Sequence, residues 1–322
     1  MEALPLDLSH PSVKFYLALV RLQVLTPLSL LINIATTLIC TLVANPSIAG
    51  VAHLYPTSLT PNSHAISAYV GLIWLAQVGY CVLLVVARKE ETKKAMVSAV
   101  GLGLVFANVV MALWAVAFIM QWFLLSTILL GVLLALLIFS NLALLIYHGP
   151  DSSRPLDTAL IHAPLRFFLI LPLNILFPLT LFIALNLSYI PTPSGPPRDP
   201  AEYHSTAALG VLLGTNILGF LVIVTRRDIV WCVAATWISV SLWTALPKPA
   251  SVYITSITFT ALHPLGLIIA SIYARFYTQP TRIALTGDDR RIYANGSRPS
   301  GAHPPEQEIE RGPAEIEEEN WG

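Results

Sequence analysis

Charged residues are scarce in this chain. Only 11% of its 322 residues are Asp, Glu, Lys or Arg, and the mean hydropathy is +0.70. A water-soluble domain carries about 25% charged residues, so this chain has too few to cover a core of its size with a polar exterior. The formal net charge is zero, which removes the general electrostatic attraction to nucleic acid. We therefore expect a lipid bilayer as the surroundings and no nucleic-acid partner.

Cysteine and intramembrane charge are also in short supply. Cys40, Cys81 and Cys232 lie in apolar runs without CxxC spacing, which is typical of small apolar filler rather than of a metal site or a redox pair. With the spans predicted below, every Asp, Glu, Lys and Arg falls in a loop or a tail. Ion-coupled pumps and metal-dependent lipid enzymes need ionisable groups within the membrane. We therefore assign no metal, no cofactor and no catalytic residue.

Long apolar runs dominate what is present. A membrane-spanning helix needs about 20 apolar residues, and eight segments meet that requirement. We predict an all-α, polytopic transmembrane helical bundle of about eight spans, because helices satisfy their own backbone hydrogen bonds in lipid. The spans cover residues 22–45, 66–87, 96–120, 123–147, 167–190, 206–225, 229–246 and 251–274, of which the seventh is the shortest.

The positive charges are sorted between the loops. With eight spans both termini lie on one side, and that side holds 16 of the 18 Lys and Arg, including the knot "ARKEETKK" at 87–94. Only Arg198 and Lys248 lie on the other side. This asymmetry places both termini in the cytoplasm by the positive-inside rule. A seven-span receptor would need an odd count and an outside N-terminus, and the charge pattern opposes both.

The predicted organisation has three parts. Residues 1–21 form a cytoplasmic N-terminal segment, 22–275 the transmembrane helical domain, and 276–322 a disordered, acidic cytoplasmic tail rich in Pro and Gly. The uncharged loop 46–64 contains three prolines and is long enough to fold over one mouth of the bundle. We expect an integral, multi-pass protein of a eukaryotic endomembrane or the plasma membrane.

Neutral polar side chains remain near the middle of the spans. An amide left unpaired in hydrocarbon is costly, so these side chains should face the interior of the bundle. They serve either as hydrogen bonds between helices or as the lining of a polar cavity at the midplane, and depth alone does not decide between the two. The residues are Asn33, Gln77, Asn108, Asn174, Asn216 and His263.

Prolines accompany two of these polar residues. Pro172 and Pro178 flank Asn174, and Pro264 follows His263. A proline removes one helical hydrogen bond, and the freed carbonyl needs another partner at membrane depth. Each helix is therefore either kinked or divided into two halves, and divided helices are typical of transporter sites.

Two segments carry a family resemblance. Thr60-Pro61 precedes a span with Gly71-Leu72, and Asn108 and Trp114 follow on the next helix. These segments, 54–85 and 106–118, resemble the extended, multi-span relatives of the tryptophan-rich sensory protein, or translocator protein, family, and also multi-span membrane proteins of fungi. The chain lacks the usual Trp before Gly71, and it has eight predicted spans where compact members of that family have five.

The resemblance implies that a flat apolar ligand, similar to a sterol or a porphyrin, binds within the bundle at Trp74, Asn108 and Trp114. We interpret the chain as a membrane protein that binds or transports a neutral or lipophilic small molecule at a polar midplane cavity. Two alternatives stay open: an intramembrane enzyme acting on a lipid or terpenoid with His263 as general base, and a non-catalytic membrane scaffold. The oligomeric state is not predicted. The candidate ligand-binding residues are Trp74, Gln77, Asn108, Trp114, Asn174, Asn216 and His263.

Overall fold

A computed structural model describes residues 10–147, 158–188 and 204–277. Within these ranges all regular structure is helical, and strands are absent, which confirms the predicted all-α bundle. The predicted tail beyond residue 277 lies outside the described residues. The helices are α1 (Pro11–Val43), α2 (Ile48–Leu54), α3 (Ser63–Val86), α4 (Glu90–Ile119), α5 (Phe123–Tyr147), α6 (Thr158–Ala184), α7 (Ser205–Arg226), α8 (Ile229–Trp243) and α9 (Ala250–Tyr277).

Seven of the described helices are long and apolar enough to cross a membrane. The exceptions are α2, with 7 residues, and α8, with 15. At 1.5 Å per residue α8 is about 22 Å long, shorter than the hydrocarbon core of about 30 Å. The seventh predicted span, 229–246, is therefore present as an apolar helix that is shorter than a full membrane crossing.

The neighbours of α8 fix its direction. Helices α7 and α9 run parallel, because Asn216 lies beside His263 and Phe220 lies beside Gly266. Two parallel helices require the chain to return between them. The contact of Ser239 with Asn216 places α8 along that return path, so a helix is present at each of the eight predicted passes, and seven of these helices are long enough to cross a membrane.

The two ends of the bundle differ in charge. We call one the basic end; α3, α5, α7 and α9 finish there. It holds Arg88, Lys89, Lys93, Lys94, Arg226, Arg227 and Arg275. The other is the lid end, covered by residues 44–62, which include α2 and are called the lid below. Among the described Lys and Arg, only Lys248 lies at the lid end.

Helices α1, α4 and α6 each begin clearly earlier than the hydropathy predicts. Helix α1 starts at Pro11, where the Nδ1 atom of His10 accepts a hydrogen bond from the backbone N–H of Ser12. Its 33 residues extend about 50 Å, so the predicted boundary between residues 21 and 22 falls inside a continuous helix. Helix α6 likewise begins at Thr158 rather than at residue 167.

An ion pair within the bundle corrects the expectation that charged residues stay in the loops. Arg166 lies in α6, and its Nη1 atom is 2.7 Å from Oδ2 of Asp228, with side-chain exposures of 11% and 5%. The other carboxylate oxygen of Asp228 accepts the backbone N–H of Trp231 and caps α8. Each charge is thereby paired, which is the condition for burying it. The arginine interrupts the apolar run, and for that reason the sequence places the start of α6 after it.

The two helices in which proline accompanies a buried polar residue, α6 and α9, are both continuous. Helix α6 passes through Pro172 in a π-helical stretch, Pro172–Leu176, and α9 runs unbroken through Pro264. In the turn after the π-helical stretch, the hydroxyl of Thr180 donates to the carbonyl of Leu176 at 2.9 Å. The structure therefore has proline-bearing helices that remain whole rather than divided half-helices.

The crossing of α8 can be tested by labelling. In a background with Cys40, Cys81 and Cys232 changed to Ala, single variants Leu246→Cys and Arg226→Cys place a thiol at each end of α8, and both positions are exposed. In sealed vesicles a membrane-impermeant maleimide should reach the two thiols from opposite faces. Lys93→Cys is the reference and should behave as Arg226→Cys does. Labelling of Leu246→Cys and Arg226→Cys from the same face would show that α8 does not cross.

Candidate functional site

A cavity of about 300 Å³ lies beneath the lid. It is enclosed by α1, α2, α3, α4 and α6, and its walls are mostly apolar. The lining residues come from the half of each long helix that is nearer the lid end. They are Thr37, Leu38, Thr41, Leu42, Ile48, Ala49, Ala52, Pro61, Ser63, Ile66, Ser67, Val70, Trp74, Met111, Trp114, Phe118, Leu171, Leu176 and Leu179.

Two tryptophans from the predicted set, Trp74 and Trp114, form part of this wall. Trp114 is only 3% exposed, and its indole N–H has no hydrogen-bond partner in the described structure. An indole N–H can only donate, so this group is a buried donor without an acceptor in the described structure. The Trp114 ring stacks on Phe118, with centroids 5.5 Å apart, and edge contacts continue through Phe123 to Tyr55 of the lid. An aromatic wall thus connects the cavity to its cover.

Four buried polar residues form one hydrogen-bonded group, which we call the amide network: Asn33, Thr37, Gln77 and Asn108. Nδ2 of Asn33 donates to Oδ1 of Asn108 at 2.9 Å, and Nδ2 of Asn108 donates to Oε1 of Gln77 at 2.8 Å. The hydroxyl of Thr37 donates to Oδ1 of Asn33 at 3.2 Å. Helices α1, α4 and α3 are therefore joined through their side chains at membrane depth, where these amides have few other partners.

Helical spacing places the amide network at the floor of the cavity. Asn33 lies one turn nearer the basic end than Thr37, and Asn108 lies three residues before Met111. In α3, which runs the opposite way, Gln77 follows Trp74 by three residues. Residues three or four apart share a helix face, so each amide lies directly below a residue of the cavity wall. Thr37 belongs to both the wall and the network.

The other predicted residues do not join this site. Asn216 and His263 belong to a separate group in α7–α9, where Asn216 accepts from the hydroxyl of Ser239 and its carbonyl lies 3.5 Å from Nε2 of His263. Asn174 is buried in the π-helical part of α6 and is not among the lining residues. The predicted depth in the membrane thus grouped six polar residues that the structure separates into three groups.

The lid is fastened to the other half of the bundle. The ammonium group of Lys248, in the loop between α8 and α9, donates to the backbone carbonyls of Ser58 and Thr60. The N–H of Asn62 donates to the carbonyl of Ser241 at 2.8 Å. Burial lowers the pKa of Lys248 to about 7, because desolvation disfavours its charged form.

Comparison with known proteins identifies the family. A family model described as TSPO-like protein matches residues 23–273. The chain belongs to the TSPO-like protein family. No curated protein and no solved structure matches the chain. The resemblance carried by Thr60-Pro61, Gly71-Leu72, Asn108 and Trp114 is confirmed, and so is the multi-pass membrane character of the chain.

The family match extends well beyond the two segments that carried the resemblance. It begins within α1 and ends within α9, so α7, α8 and α9 belong to the same TSPO-like unit as the helices around the cavity. Sequence reasoning missed Thr37, Met111 and Phe118 as wall residues. Their signal was available, because each lies three or four residues from Asn33, Asn108 or Trp114 in the sequence.

We predict that replacing Asn108, the centre of the amide network, has a large effect on stability. Asn108→Leu leaves Nδ2 of Asn33 and Oε1 of Gln77 without partners and should lower the free energy of unfolding by about 1–2 kcal/mol. Asn141→Leu is the matched control, because the Asn141 amide contacts only the backbone carbonyls of Leu137 and Leu165. Its cost should be near 0.6 kcal/mol, about the average for a hydrogen bond between membrane helices. Reversible unfolding in mixed micelles measures both.

A triple variant separates pairing from packing. Changing Asn33, Gln77 and Asn108 to Leu together removes all three amides at once, so among the network residues only the hydroxyl of Thr37 loses its side-chain partner. The triple variant should be less destabilised than the sum of its three single variants. A strictly additive loss would contradict a mutually satisfied network.

The lowered pKa of Lys248 predicts a pH dependence of stability. Below pH 7 the lysine is protonated in both the folded and the unfolded chain. Between about pH 7 and its ordinary value of 10.5, the unfolded chain binds more protons, so the free energy of unfolding rises with pH. The Tm of the wild type should therefore rise from pH 7 to 9 relative to that of Lys248→Met. Parallel Tm curves for the two proteins would contradict the assignment.

Proposed function

We propose that this chain binds a flat, lipophilic small molecule, similar to a sterol or a porphyrin, in the cavity beneath the lid. The observation that carries the proposal is a tryptophan-lined cavity that contains an unpartnered, buried indole N–H, in a member of the TSPO-like family. Apolar walls with a few placed polar groups are typical of small-molecule sites. The candidate contact residues are Trp74 and Trp114 in the wall, with Gln77 and Asn108 at the floor.

The polar groups favour a ligand with a hydrogen-bonding substituent at its edge. Nε1 of Trp114, a residue of the cavity wall, and Nε2 of Gln77 are both buried without a partner in the described structure. Both atoms donate hydrogen bonds, so a hydroxyl, carbonyl or carboxylate oxygen on an otherwise apolar ring system matches them. A purely hydrocarbon ligand would leave both donors unsatisfied.

The size of the cavity makes the lid part of the binding reaction. About 300 Å³ is the lower limit for sites of drug-sized ligands, which reach about 1,000 Å³. A ring system that exceeds the present volume therefore displaces residues of α2 or of the turn Thr57–Thr60 as it enters. Binding then competes with the hydrogen bonds that hold the lid to Lys248 and Ser241.

The enzyme alternative lacks support from the geometry. His263 is fully buried, and within the described residues its Nδ1 atom has no partner. Its other nitrogen lies near a backbone carbonyl rather than a carboxylate, so no acid–base pair is formed there. His263 is also absent from the cavity wall. Binding is therefore favoured over catalysis as the role of this chain.

Filling the cavity should abolish most of the binding. Ala52→Leu adds three carbon atoms inside the cavity, and overpacking of about 1–3 kcal/mol corresponds to at least a fivefold loss of affinity. Ala68→Leu makes the same change on an exposed face of α3, away from the cavity, and should leave affinity unchanged. Titration of purified protein with a fluorescent sterol and with a free-base porphyrin measures both effects. Equal affinities of the two variants would place the ligand elsewhere.

Two further measurements refine the proposal. Trp114→Phe keeps an aromatic ring but removes the N–H, and should weaken only ligands that carry an acceptor, by about two- to tenfold. Uptake of the same probe into protein-loaded liposomes separates transport from binding. Accumulation that Ala52→Leu abolishes would assign transport to the cavity, and saturable binding without accumulation would restrict the function to binding.

A further inference from the structure

A second cavity lies at the basic end, away from the tryptophan-lined site. This cleft, of about 700 Å³, is bounded by the start of α6, the end of α7 and the start of α8. Its position at the ends of membrane-crossing helices is the level of lipid headgroups. The residues that line it are Thr158, Arg166, Thr225, Arg226, Arg227, Asp228, Ile229 and Val230.

The cleft carries an excess of positive charge. Arg166 is neutralised by Asp228 at 2.7 Å. Arg226 and Arg227 are exposed and make no ion pair in the described structure. The lining residues therefore have a net charge of +2, from three arginines and one aspartate. Each of these guanidinium groups is a planar set of donors that suits phosphate oxygens.

Fixed backbone groups add to these donors. Ile229 and Val230 lie in the first turn of α8, where backbone N–H groups have no partner within the helix. The buried Arg166–Asp228 pair holds this turn against α6, and Asp228 also caps it. The rigid part of the cleft is therefore built by the same ion pair that stabilises the α6–α8 contact, while Arg226 and Arg227 supply its charge.

The surface beside the cleft is apolar. Leu221 and Val224 on α7, and Ile229 and Val233 on α8, are exposed large hydrophobic residues within about two turns of the arginines. A phosphate group in the cleft would thus lie directly above a surface that accommodates acyl chains. Clusters of basic residues between membrane helices at headgroup depth are typical of binding to anionic lipids.

From this arrangement we propose that the cleft at the basic end binds a phosphate group, as found in the headgroup of an anionic phospholipid. The site is independent of the cavity beneath the lid, because the two share no lining residue and lie at opposite ends of the bundle. Arg226 and Arg227 contact the phosphate oxygens. Arg166 and the first turn of α8 form the fixed wall against which the headgroup rests.

The test uses the full chain in detergent, with dioctanoyl phosphatidic acid as the probe and dioctanoyl phosphatidylcholine as the neutral comparison. Native mass spectrometry measures the fraction of protein with bound lipid. At about 1 kcal/mol for each basic residue near the headgroup, Arg226→Gln/Arg227→Gln should bind phosphatidic acid about thirtyfold more weakly. Arg88→Gln/Lys89→Gln is the matched control, because it removes from the same end two exposed cations that make no ion pair with any described residue. Its affinity should change less than about twofold.

Inorganic phosphate distinguishes the two possible sources of the group. Phosphate that neither binds nor displaces phosphatidic acid at millimolar concentration supports a lipid headgroup as the ligand. Phosphate that competes, with the same dependence on Arg226 and Arg227, supports a site for the free anion. An equal loss of affinity in both double variants, or equal binding of phosphatidylcholine and phosphatidic acid, would overturn the proposal. Retained sterol or porphyrin binding by each variant confirms that the bundle is folded.

Discussion

In hydrocarbon, water is absent as a hydrogen-bond partner, and this constraint organises the whole structure. Every polar group within the bundle must be satisfied by the protein or be left for a ligand. Asn33, Gln77 and Asn108 are joined to one another, and Arg166 is paired with Asp228. Against this background, a buried donor without a partner is informative. The N–H of Trp114 is such a donor, and Trp114 is a residue of the cavity wall.

Composition and the distribution of charge along the chain predicted the fold class, because both depend on many residues at once. Scarce charge, eight apolar runs and cations sorted to one end were enough to predict a helical bundle, and each apolar run corresponds to a described helix. Helix boundaries were less accurate where a single residue overrode the local average. Arg166 lowered the hydropathy of the start of α6, although its charge is neutralised by a residue more than 60 positions later. The hydropathy of a segment does not include the effect of an ion-pair partner that is distant in the sequence.

The candidate site was predictable to the extent that it depends on helix periodicity. Asn108 and Trp114 could be named from sequence, and residues spaced three or four from them complete the wall and the floor. Depth, by contrast, did not reveal which residues face one another. Asn216 and His263 are also near the middle of their helices, but Asn216 contacts Ser239 of α8 and His263 contacts Asn216. Rotation of each helix about its axis is set by packing between helices, and one sequence does not specify it.

The fastening of the lid links two parts of the molecule that share no cavity wall. Lys248 and Ser241 belong to the region of α8 and α9, whereas the space they help to close is enclosed by α1, α3, α4 and α6. A ligand that displaces the lid must also break the hydrogen bonds that join the lid to Lys248 and Ser241. By thermodynamic linkage, weakening these hydrogen bonds beforehand lowers the free-energy cost of admitting the ligand by the same amount. In the proposed binding reaction, Lys248 and Ser241 therefore contribute to ligand affinity without lining the cavity.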